Sequence, residues 1–145
     1  MLELDRFLPY LVNTLGNRLS QELGEIYASR FGISIPEWRV IAHLSQHRDV
    51  SIREVFSRVA MDKAKVSRAA ARLELTGLVE KRVNPADKRL ISLKLTEAGR
   101  ALFEQIAPLA LAYETEVLAS LSPEEQETFR QLLGRLLARD QRRPA

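Results

Sequence analysis

From Leu4 to Tyr27 the apolar residues fall at Leu4, Phe7, Leu8, Leu11, Val12, Leu15, Leu19, Leu23 and Ile26, the spacing of one face of a helix. Pro9 suits its first turn, where a missing N–H costs least, and Gly32 is its stop. Ser34-Ile35-Pro36-Glu37 reads as a capping box, in which the Ser oxygen takes a free backbone N–H and the Glu returns the bond. A second helix follows to about Gln46, with Trp38, Ile41 and Leu44 inward. Ser51-Ile52-Arg53-Glu54 repeats the box and opens a short third helix ending near Val59. Asp62 caps a fourth helix running to Thr76, with Gly77 beyond it.

The period then changes. Leu78 to Val83 mixes strand formers with charge, Asn84-Pro85-Ala86-Asp87 is a turn on residue type, and Leu90 to Leu95 alternates apolar with polar. These predict a two-stranded antiparallel hairpin, which must pack on helices to be stable. Thr96 caps a long fifth helix with Leu102, Phe103, Ile106, Leu109, Ala110, Tyr113 and Val117 on one side, and Pro108 should kink it. Ser122-Pro123-Glu124-Glu125 is a third capping box. It opens a last helix striped by Phe129, Leu132, Leu133, Leu136 and Leu137. The expected fold is mainly α with a small β-hairpin: a winged helix-turn-helix lobe (34–95) with an α-helical dimerisation region (1–31 and 97–140) in one domain of 145 residues. Residues 139–145 read as a polar, frayed tail.

Charge sharpens this picture. The net charge is only +3, but residues 62–94 hold nine Lys or Arg against four Asp or Glu, so the remainder is slightly acidic. Two readings stand at this point: a solvated basic surface, or an electrostatic footprint for phosphates. The fourth helix favours the second. Val66, Ala69, Ala70 and Leu73 define its packing face, which leaves Ala64, Ser67, Arg68 and Ala71 opposite, with Arg72 at the border. Small residues let such a helix sink into a groove. Ser67 can bond a phosphate or a base edge, and Arg68 can make a paired contact to guanine. Lys63 and Lys65 lie in the first turn, where a helix N-terminus already favours phosphate. Ser51 and Arg53 open the third helix, placed for backbone contacts.

The hairpin tip Lys81-Arg82-Val83-Asn84-Pro85-Ala86-Asp87-Lys88-Arg89 is a basic wing. Arg89 suits the narrow minor groove, with Lys88 and Asn84 beside it. Asp87 either orients Arg89 through a salt bridge or only forms the turn.

Other chemistries find less support. With no Cys there is no disulfide framework, thiolate zinc site or cysteine redox sensor, which fits a reducing cytoplasm. The acidic opening MLELDRF is not a secretory signal, and no apolar run reaches the ~18 residues of a membrane span. No catalytic motif stands out, so an enzyme is not expected, nor is a cofactor. His43 and His47, four apart, are one spacing that binds a metal, but they lack an obvious third ligand. A metal-responsive regulator therefore remains an alternative, as does a winged-helix module that binds protein.

Taken in order, Asp62-Lys63-Ala64-Lys65-Val66-Ser67-Arg68, Leu73-Glu74-Leu75-Thr76-Gly77-Leu78-Val79, Asp87-Lys88-Arg89, Leu93-Lys94-Leu95-Thr96-Glu97-Ala98-Gly99 and Leu121-Ser122-Pro123-Glu124-Glu125 resemble the MarR family (multiple antibiotic resistance regulators) over most of the chain. The resemblance implies an obligate homodimer whose first, fifth and sixth helices interlock, with two recognition helices on a palindromic operator in double-stranded DNA. It further implies a repressor released by a small-molecule effector, such as an aromatic acid or its thioester. The pocket would lie between frame and lobe, lined by helices one, two and five. Tyr10, Asn13, Trp38, Arg39 and His43 are the residues this chain offers there. An anionic aromatic ligand would stack on Trp38 and pair with Arg39; the other reading is that Trp38 is core and Arg39 and His43 are surface or interface residues.

Overall fold

The structure, a computed structural model, describes residues 1–46, 50–59, 61–87 and 91–139. After a 3-10 turn at Leu4–Arg6, the elements are α1 (Leu8–Phe31), α2 (Ile35–Gln46), β1 (Val50–Ser51), α3 (Ile52–Arg58), α4 (Lys63–Leu75), β2 (Val79–Val83), β3 (Ile91–Leu95), α5 (Glu97–Val117) and α6 (Pro123–Leu137). The chain divides into two compact units, 1–108 and 109–145, with the boundary at Pro108 inside α5.

The core belongs to the first unit. Val40, Ile41 and Leu44 of α2, Val55 of α3, and Val66, Ala69, Ala70 and Leu73 of α4 are buried together with Val79, Leu93 and Leu95 of the sheet. The i, i+3, i+4, i+7 row on α4 is thus its packing face, and its two alanines let the helix lie close against α2. Full burial of a side chain such as Leu73 stabilises the lobe by roughly 1.5–3 kcal/mol. Local signals set the ends of these helices. Gly32 adopts φ 66° and stops α1, Asp62 Oδ1 accepts from the Lys65 N–H at 2.9 Å, and Gly77 at φ 79° lets the chain leave α4.

The structure differs from expectation in three places. The sheet has three antiparallel strands in the order β1-β3-β2, because Val50 and Ser51 pair with Leu93 and Ser92. Two residues are too few to show a period, so this strand left no pattern to read. The first helix is broken at Phe7, whose extended backbone separates the 3-10 turn from α1, while its end at Phe31 before Gly32 is as expected. The Ser34 box also departs from its usual form. The Glu37 N–H donates to Ser34 Oγ at 3.3 Å, but the serine hydroxyl in turn donates to Glu37 Oε1 at 2.9 Å, and the carboxylate turns inward. Ser122 and Glu125 make the complete reciprocal box at the start of α6, in the second unit.

In that second unit, Phe129, Leu132, Leu136 and Leu137 of α6 remain substantially exposed. So do Leu4, Phe7, Leu8, Tyr10, Leu11, Val12 and Leu15 at the start of the first unit. Among the described residues, no helix is long and apolar enough to cross a membrane.

Candidate nucleic-acid interface

With Val66, Ala69, Ala70 and Leu73 turned into the core, α4 presents Lys63, Ala64, Lys65, Ser67, Arg68, Ala71 and Arg72 to solvent. The outward face is as the periodicity requires: two small alanines, one hydroxyl and a rim of cations. Of its first-turn amides the Lys65 N–H is held by Asp62, and the Lys63 and Lys65 side chains add positive charge to that turn.

Not every cation of this segment is equally available. Arg72 Nε lies 3.6 Å from Glu37 Oε1 on α2, and Lys94 Nζ lies 3.5 Å from Glu80 Oε2, its cross-strand partner on β2. Lys94 therefore serves the sheet. Arg72 is drawn toward α2 through one edge, with most of its side chain still exposed.

The start of α3 and the hairpin share an open hollow of about 400 Å³, lined by Ser51, Ile52, Arg53, Arg82, Val83, Asn84, Pro85, Ile91 and Ser92. Ser51 is engaged as a cap, its Oγ accepting from the Glu54 N–H at 3.1 Å, while Arg53 is exposed. Asn84 forms the turn itself, since its Oδ1 accepts from the Ala86 N–H at 2.8 Å. Arg82 was not among the contacts expected from sequence. It joins Arg53 at the hollow because pairing on β3 fixes the register of β2, which no local signal reveals. Asp87 is half-buried at the end of the turn. Lys88 and Arg89, and with them the expected Asp87–Arg89 pair, lie outside the described residues, as does His47. Among the described residues no three His, Cys, Asp or Glu side chains gather as a metal site.

The residues expected to line an effector pocket do not meet in one chain. Trp38 stacks on Phe103 of α5 (centroids 5.7 Å apart, planes 13° apart) and packs tilted against Tyr27 of α1 at 5.2 Å. Arg39 and His43 are half-buried on α2. Tyr10 and Asn13 are exposed. They stand about 25 and 21 Å along α1 from Tyr27, at 1.5 Å of rise per residue. The residue that does reach Trp38 from α1 is Tyr27, which sequence reasoning passed over. It is 1% exposed, and among the described residues its hydroxyl has no hydrogen-bond partner. Burial raises its pKa above the ordinary value of 10.0.

A short helix, a second helix with a small outward face and a flanking basic hairpin on one core define a winged helix-turn-helix protein. Comparison with known proteins agrees. The family model described as MarR family matches residues 31–90. A MarR/EmrR family regulator from Acinetobacter sp. ADP1 is similar in structure at TM-score 0.84 and 32% identity, covering 93% of this chain and 95% of that one. A mutant MarR from E. coli, solved in complex with operator DNA, is similar at TM-score 0.78 and 27% identity, covering 90% and 93%. The transcriptional repressor YetL of Bacillus subtilis is 28% identical over 127 residues, 86% of this chain and 75% of that protein. The chain belongs to the MarR family and is a DNA-binding transcriptional regulator.

Proposed function

We propose that this protein is a homodimeric repressor that occupies a palindromic operator and leaves it when a small anionic aromatic molecule binds. The observation that carries the reading is the outward face of α4, where Ser67 and Arg68 stand between Ala64 and Ala71 with nothing bulky to hold the helix off a groove. Arg68 reads a guanine, Ser67 a base edge or phosphate, and Lys63, Lys65, Ser51, Arg53 and the wing residues Asn84, Lys88 and Arg89 seat the lobe on the backbone and minor groove, with Asp87 orienting Arg89. In this proposal residues 34–95 are the lobe, and 1–31 and 97–140 are the frame.

Dimerisation is supported by the large apolar side chains left open at the start of α1 and, in the other unit, along α6, since clustered exposed apolar residues mark an interaction site. Two recognition helices in a dimer read half-sites on the order of 34 Å apart. The site of action is the DNA of the cytoplasm. Repression is the mode borne by the relative YetL, and operator binding that of the E. coli MarR.

For the effector, the Tyr27 hydroxyl beside Trp38, without a partner among the described residues, supports a ligand with an acceptor oxygen and a flat ring, an aromatic acid or its thioester, with Arg39 as counter-charge to the acid and His43 four residues on. A buried hydroxyl without a partner loses the hydrogen bonds water would give it, and a ligand acceptor restores one. The ligand lowers operator affinity only by its preference for a lobe arrangement that does not fit the operator.

The test is selection of duplexes from random DNA by the purified protein, repeated with a panel of aromatic acids and thioesters. A selected sequence with two-fold symmetry, released by a panel member with a change in Trp38 fluorescence, is expected. Failure to select any sequence refutes operator recognition. Release without a fluorescence change refutes the effector placement.

A further inference from the structure

We infer that Glu37 is a positioning residue for DNA binding: it grips Arg72 by its Nε edge and thereby directs the rest of that guanidinium to a backbone phosphate at the rim of α4. The inference rests on the DNA-reading role of α4 given above. Among the described residues, Glu37 is the one charged side chain that is buried. A carboxylate in that position needs partners, and it has two, the Ser34 hydroxyl at 2.9 Å and Arg72 Nε at 3.6 Å. The equivalent Glu125 of the α6 box is exposed and returns its bond to the backbone of Ser122, so the capping role alone does not explain the inward turn of Glu37.

The geometry divides the guanidinium. Its Nε faces the buried carboxylate, while the side chain as a whole is 66% exposed. Arginine carries five N–H donors in a rigid planar fork, so an ion pair that draws one edge inward turns the other edge outward. Glu37 and Arg72 border an open hollow of about 290 Å³ whose rim also carries Lys65, Arg68 and Ser34. Three cations and one recessed carboxylate leave a positive surface there, beside the face assigned to the groove. Arg72 is thus an oriented phosphate contact rather than a reader of bases, and α2 takes part in DNA binding through Glu37 although none of its own residues is assigned a DNA contact.

Simple electrostatics predicts the opposite sign. A carboxylate near a phosphate repels it, so removing the charge should tighten binding unless the carboxylate positions a cation. The experiment measures affinity against salt for the wild-type dimer, Glu37→Gln, Arg72→Gln, Arg72→Lys and the Glu37→Gln/Arg72→Gln pair. The probes are a duplex that the wild-type protein selects from random DNA and a random-sequence duplex of equal length. Arg72→Gln removes one phosphate contact from each of the two protomers, so it should lower the slope of log affinity against log salt by about 1.8, weakening both duplexes by the same factor. Glu37→Gln should do the same and add nothing to Arg72→Gln. Arg72→Lys, which keeps the charge but lacks the forked edge, should fall with Arg72→Gln.

Tighter or unchanged binding by Glu37→Gln, additive losses in the pair, an unchanged slope in Arg72→Gln, or full wild-type behaviour of Arg72→Lys would each overturn the inference. The two Arg72 variants alter a mostly exposed side chain, so they decide the matter even if Glu37→Gln does not fold. A wild-type protein that binds neither duplex refutes the DNA-reading role itself, a result distinct from any of these.

Discussion

Gly99, in the first turn of α5, lies against the carbonyl of Leu78 so closely that a Cβ on residue 99 would overlap that oxygen. The same carbonyl accepts from the Thr96 N–H at 3.1 Å, and Thr96 Oγ1 donates to the Gly77 carbonyl at 2.7 Å while taking the Gly99 N–H at 3.0 Å. The Leu95-Thr96-Glu97-Ala98-Gly99 run is therefore a joint. The threonine caps α5 and ties it to the turn after α4, and the glycine lets the helix approach. Gly99→Ala must push backbone aside. It should destabilise the fold by about 1–3 kcal/mol, read as a lower denaturation midpoint. An unchanged midpoint would mean that this joint is loose.

Arg68→Ala removes the side chain assigned to guanine. Discrimination at one base position in each half-site should drop by about 1–3 kcal/mol, with other positions kept. Equal weakening on every sequence would reassign Arg68 to a phosphate.

Leu132 is 47% exposed within one chain. If α6 packs against a second copy, Leu132→Ala should weaken dimerisation by roughly 2–5 kcal/mol, the usual range for a buried Leu. Sedimentation equilibrium checks this, and an unchanged dimer constant would remove Leu132 from the interface.

Burial holds the Tyr27 phenol above its ordinary pKa of 10.0. The folded chain keeps that proton at pH values where the unfolded chain has lost it. The contribution of the neutral ring to stability is therefore complete below about pH 10 and declines as pH rises beyond it. Tyr27→Phe should flatten the alkaline fall in stability and change neutral-pH stability little, because the hydroxyl has no partner among the described residues to lose. Denaturation midpoints from pH 8 to 11 test this: the same alkaline slope in wild type and variant would contradict it.

The outward face of α4 was legible because a helix repeats every 3.6 residues, so placing Val66, Ala69, Ala70 and Leu73 inside placed Ser67 and Arg68 outside. The ends of α1, α4 and α6 were legible for a similar reason. Gly32, Asp62 and Ser122 act on backbone groups within a few residues of themselves. The expected effector residues do not come together within one chain. Tyr10 and Asn13 share a helix with Tyr27 but sit four to five turns away, and only the packing of α1 on α2 decides which turn meets Trp38.

By itself, then, the order of residues determined the helices, the hairpin, the capped ends and the exposed recognition face, since each depends on periodicity or on contacts within one turn. Tertiary structure alone decided the third strand at Val50, the pairing of buried Glu37 with Arg72, the meeting of Arg53 with Arg82, and the isolation of the Tyr27 hydroxyl. Each of those joins residues well separated in the chain. Distance between such residues follows from how whole faces pack, and no local spacing encodes it.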